Sequence, residues 1–108
     1  MRLTTSQAAN ASGGLTYGTA TINFGAAPGT NYVTVNVTGQ TDIASGSNVW
    51  AWVYGGDSTA THNSFEHTIL PLWVNINTSA IIAGTGFTIN AFTELRLTGT
   101  LSVRWAWE

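Results

Sequence analysis

The sequence predicts an all-β domain built as an antiparallel β-sandwich, of which the jelly roll is one form. Apolar and polar residues alternate with period two through most of the chain. Clusters of Gly, Pro and Asn interrupt that alternation at short intervals, and no window carries a convincing 3.6 period. At 108 residues the chain suffices for one domain with a real core, and a second domain is not expected.

Residues 1–17 are rich in Ser, Thr, Ala and Gly, with Gly13-Gly14 against any helix, and are expected to form an extended arm ahead of a sandwich domain at 18–108. The opening residues carry one Arg and no apolar run, so no secretory signal is expected there. From Gly18 to Phe24 the residues Ala20, Ile22 and Phe24 share one face of a strand. A turn is expected over Gly25–Asn31, where Pro28-Gly29 suits turn geometry. Tyr32 to Thr38 then puts Val33, Val35 and Val37 on one face, and the two strands read as a hairpin. After a loop over Gly39–Asn48, Val49 to Tyr54 is apolar on both faces, with Val49, Ala51 and Val53 opposite Trp50, Trp52 and Tyr54. A polar loop at Gly55–His67 leads to a strand at Thr68–Ile76, in which Pro71 implies an edge or a bulge. Phe87 to Phe92 and Arg96 to Trp107 complete six to eight expected strands. In the last, Leu97, Leu101, Val103, Trp105 and Trp107 lie on one face, and Gly99 marks a bend.

Only eight residues are formally charged and none is lysine, an unusual surface for a dispersed monomer. A surface of Thr, Ser and Asn covered by copies of the same chain, or by a larger assembly, accounts for it. The net charge of −2 and three scattered Arg residues argue against nucleic-acid binding, and no segment is long and apolar enough for membrane insertion. Without cysteine there is neither disulfide nor thiolate chemistry.

Asp57, His62, Glu66 and His67 form the one cluster of ionisable side chains. His62, Glu66 and His67 are the residues that would ligate a metal, since Zn²⁺ accepts imidazole and carboxylate. Their spacing is one residue longer than His-x-x-Glu-His, and no helix is expected to align them. The favoured reading is a structural loop with no metal and no cofactor. A glycosidase pair of Glu66 with Asp57 or Glu94 has no supporting context, and no Gly-x-Ser-x-Gly elbow is present, so the chain is expected not to be an enzyme. Trp50, Trp52 and Tyr54 make an aromatic stripe about 13 Å long. Such a stripe either stacks on sugar rings or is buried at a subunit contact, and burial is the commoner fate.

Several segments resemble small virion structural proteins of tailed bacteriophages. They are Gly18–Thr30 with Val33–Gln40, Asp57–Ala60, His62–His67, Ala83–Ile89, Leu97–Thr100 and Val103–Trp107. The resemblance implies a structural component of a phage particle, and with the scarcity of charge the chain is expected to be a homo-oligomer, a trimer, that decorates the capsid or forms a fibre or tail-associated module. It also implies a place in the virion after assembly in the bacterial cytoplasm, with other virion proteins as partners. The alternative function is a carbohydrate-binding, receptor-binding module that meets a host-surface glycan through Trp50, Trp52 and Tyr54.

Overall fold

The computed structural model describes residues 15–108. Among these, four strands form one antiparallel sheet: β1 (Thr16–Val37), β2 (Val49–Trp52), β3 (Val74–Ile82) and β4 (Gly86–Trp107). A short helix, α1 (Ser64–Ile69), and a 3-10 turn at Leu70–Leu72 separate β2 from β3. The class is all-β, as the alternation predicts. The expected arm lies outside the described residues as far as residue 14, and Thr16 and Tyr17 already belong to β1.

β4 is the centre of the sheet. Its first half is flanked by β3 and the second half of β1, and its last half by the first half of β1 and by β2. The expected hairpin between 18–24 and 32–38 does not form, because both segments belong to β1 and each pairs with β4. The expected strands at 87–92 and 96–107 are likewise one strand. Two long bent strands thus do the work expected of four separate ones.

The bend has a clear origin in the register. Between the pairs Asn23↔Thr100 and Tyr32↔Phe92, β1 advances nine residues while β4 retreats eight. One extra residue on β1 flips its faces. The inward set of β1 therefore changes from even positions (Ala20, Ile22, Phe24) to odd ones (Val33, Val35, Val37), whereas β4 has odd positions inward on both sides of the corner, Phe87 to Thr93 and Leu101 to Trp107, with Leu95 exposed between them. Gly25 (φ 87°) and Gly99 (φ 78°) face each other at this corner, in the left-handed region that glycine tolerates. Gly99 bends the chain as its position in the sequence suggests.

The corner folds the sheet onto itself. Phe87 and Trp105, eighteen positions apart on β4, would be about 60 Å apart on a straight strand. Their ring centroids are 5.5 Å apart at an interplanar angle of 77°, an edge-to-face contact. Both halves therefore share one core, in which Ile22, Phe24, Ile89, Leu101 and Val103 are fully buried. Away from the corner, the loop after β1 crosses from one half to the other and inserts Ile43 into the core. Trp107 Nε1 donates to Gln40 Oε1 at 3.0 Å, and Thr78 Oγ1 donates to Val49 O at 3.3 Å, fastening the two halves.

The strand expected at Thr68–Ile76 begins only at Val74, and the residues before it are helical. A capping box explains the change. Asn63 Oδ1 accepts from Glu66 N at 2.9 Å, and Glu66 Oε1 accepts from Asn63 N at 2.8 Å. Pro71 then sits in the first turn of the 3-10 segment, where its missing N–H is tolerated.

Candidate functional site

β2 ends at Trp52, opposite Arg104, and β3 begins opposite Thr93, so β4 between Glu94 and Val103 has no strand on that side to receive its backbone groups. Four side chains of the 59–67 segment take the place of a strand. His67 Nε2 accepts from Ser102 N at 3.0 Å, Thr61 Oγ1 accepts from Thr100 N at 2.8 Å, Thr59 Oγ1 donates to Thr100 O at 2.7 Å, and His62 Nε2 donates to Thr98 O at 2.7 Å. An open strand edge invites pairing with another chain, and these contacts close it. The approach is close enough that a Cβ at residue 99 would lie 2.5 Å from Thr61 Oγ1.

This geometry decides what the histidines can do. His67 is fully buried and both ring nitrogens are engaged, Nδ1 donating to Asn63 O at 3.0 Å and Nε2 accepting from Ser102 N. The two partners require the neutral ring with its proton on Nδ1. His62 Nε2 is held by Thr98 O, and its Nδ1 lies 3.4 Å from Glu66 Oε1, which already caps α1. His62, Glu66 and His67 are thus brought together as structural groups. Among the described residues no set of three His, Cys, Asp or Glu side chains converges as metal ligands. The acids considered as a glycosidase pair are also apart in role: Asp57 binds Arg104, Glu66 caps α1, and Glu94 is exposed at the corner of β4.

Trp50, Trp52 and Tyr54 do not enter a second core. They are 46%, 41% and 47% exposed on the outer side of the sheet. The register extends this surface to β1, since Ala106 pairs with Trp50 on one side and Tyr17 on the other, and Arg104 pairs with Trp52 and Thr19. A groove of about 380 Å³ runs across these strands, lined by Leu15, Tyr17, Thr19, Trp52, Arg104 and Ala106, with backbone from neighbouring residues. Tyr17, 76% exposed, is a member that reading the sequence assigned to the arm. The signal was available, because the alternation running down from Phe24 through Gly18 places residue 17 on the outer face.

Arg104 is held in place from two directions. Its Nε and Nη2 donate to the two carboxylate oxygens of Asp57 at 3.0 and 2.8 Å, and its guanidinium carbon lies 4.0 Å from the centroid of the Tyr54 ring. The paired hydrogen bonds from Arg104 hold the Asp57 carboxyl below its usual pKa, with the charge of Arg104 adding to the effect and partial burial opposing it. A carboxyl with a depressed folded pKa stabilises the fold in full above its unfolded value of about 3.9, and the contribution disappears as pH falls through the folded value. Asp57→Asn should therefore lower the melting temperature at pH 7, and the gap from the parent should close progressively as the pH falls below the ordinary carboxyl value of about 3.9. Thermal melts of the two proteins across that range check this.

Compared with known protein families, curated proteins and solved structures, the chain has no match.

Proposed function

We propose that the chain is a non-catalytic structural module of a bacteriophage virion that works as a homo-oligomer, a trimer being the leading form. The observation that carries this reading is the outer face of the half-sheet formed by β3, the first half of β4 and the second half of β1. Its polar side chains are uncharged and bonded to one another: Thr88 Oγ1 donates to Asn36 Oδ1 at 2.9 Å, and Asn90 Nδ2 donates to Asn77 Oδ1 and to Ser79 Oγ, both at 2.9 Å. Tyr32 OH reaches Asn90 Oδ1 at 3.5 Å. Side chains already satisfied within the subunit can be covered by a second copy without the desolvation cost of burying ions. The scarcity of charge over the whole chain and the resemblance to phage virion proteins support the same reading.

Light scattering on the purified chain should give a multimer at micromolar concentration. Thr88→Lys with Asn90→Arg should return it to a monomer with an unchanged circular dichroism spectrum, because like charges would meet across the contact. A parent protein that is monomeric, and absent from purified particles by mass spectrometry, would sink the proposal.

A further inference from the structure

The groove on the opposite half of the sheet has a different chemistry. It is lined by Tyr17 on β1 and Trp52 on β2, which stand on opposite sides of β4 but not at one level, because Tyr17 pairs with Ala106 and Trp52 with Arg104. Positions two strands apart and two residues along are separated by about 12 Å, from twice the strand spacing across the sheet and two residue rises along it. A ring stacked on the Trp52 face stands about 3.5 to 4 Å from it, which leaves its far edge facing Tyr17. Both side chains are substantially exposed, so they are available to such a ring.

Arg104 lines the same groove. Two of its three nitrogens are committed to Asp57, while Nη1 makes no hydrogen bond among the described residues. It is a donor fixed in direction by a carboxylate and by the Tyr54 ring, and Asp57 cancels its charge. The groove thus offers two apolar ring faces and an oriented donor, with no net charge to attract an anion.

We propose that this groove binds one neutral pyranose ring. A C–H face of the sugar stacks on Trp52 with the far edge of the ring against Tyr17, and a ring hydroxyl accepts a hydrogen bond from Nη1 of Arg104, the residue paired with Trp52. This site goes beyond the assembly role, uses the other half of the sheet and does not depend on it.

The test titrates the intact chain with methyl β-glucopyranoside, methyl β-galactopyranoside, methyl α-mannopyranoside and N-acetylglucosamine, following tryptophan fluorescence and ¹H–¹⁵N chemical shifts. N-acetylneuraminic acid is the anionic comparison. At least one neutral sugar should saturate with a Kd in the millimolar range, as a single ring of few atoms allows. The shifts should centre on Tyr17, Ala106 and the Trp52 indole. Trp52→Ala and Tyr17→Ala should each weaken binding about tenfold or more while leaving the melting temperature nearly unchanged, as exposed positions do. Three results would overturn the proposal: no saturation by any neutral sugar, binding that both substitutions leave intact, or tighter binding of the anion. A fourth is a Trp52→Ala protein of smaller assembled mass, which would assign the groove to a second copy of the chain.

Discussion

Trp105→Ala should lower the unfolding free energy by about 3 to 5 kcal/mol, the range for removing a large aromatic side chain from a packed core. For a chain of this size that is a fall in melting temperature on the order of 15 °C or more. The size of the effect follows from where the indole lies. It is 7% exposed, meets Phe87 edge-to-face from the other half of its own strand, and lies so close over Gly18 that a Cβ there would be 2.5 Å from its Cζ2 atom. Removing it empties the place where the two halves of the folded sheet touch. Trp105→Phe should cost much less, because it keeps an aromatic edge and also removes an indole N–H that is buried without a partner. Trp50→Ala, on the same sheet with the side chain outside, should stay within about 0.5 kcal/mol. Denaturant unfolding of the three variants checks this ordering. An unchanged midpoint for Trp105→Ala would mean that the inward face of β4 has been assigned wrongly.

Much of that face was legible in the alternation. Leu101, Val103, Trp105 and Trp107 are inward as their spacing requires, and so are Val33, Val35 and Val37. Period two identifies a face and says nothing about the partner strand. Gly25, Pro28 and Gly29 are turn-forming residues, and in isolation they end one strand and begin another. Here a bulged corner continues β1, because β4 runs beside it on both sides of the corner and keeps the ladder together. The helix was missed for another reason: α1 has six residues, too few for a 3.6 period to declare itself. Its Asn63-x-x-Glu66 capping box was nevertheless written in the sequence.

The two candidate sites differ in the same way. That Trp50, Trp52 and Tyr54 share a face could be read from their alternation, but not that the face is exposed, and the other side of the groove comes from Tyr17, across β4. The Arg104–Asp57 pair joins residues 47 positions apart and leaves no local signature. What the 59–67 segment does depends on β2 stopping early and leaving an edge of β4 open. That is a fact of tertiary pairing, and no motif within the segment announces it.

His67→Ala should be the most damaging substitution outside the apolar core, at about 3 kcal/mol. It removes a fully buried ring from beneath α1 and leaves the Ser102 N–H without its acceptor, and a buried orphan donor alone costs about 1 to 3 kcal/mol. His67→Phe separates the two contributions, because it keeps a ring in the space and still abandons Ser102. Amide hydrogen exchange gives the direct readout: Ser102 should lose protection in both variants, and Thr100, bonded to Thr61, should follow if the segment lifts as a unit. With the edge open, concentrated His67→Ala protein should also form aggregates rich in intermolecular β pairing, visible by infrared spectroscopy and light scattering. Ser102 exchange as slow in His67→Ala as in the parent would show that the edge is closed by something other than this histidine.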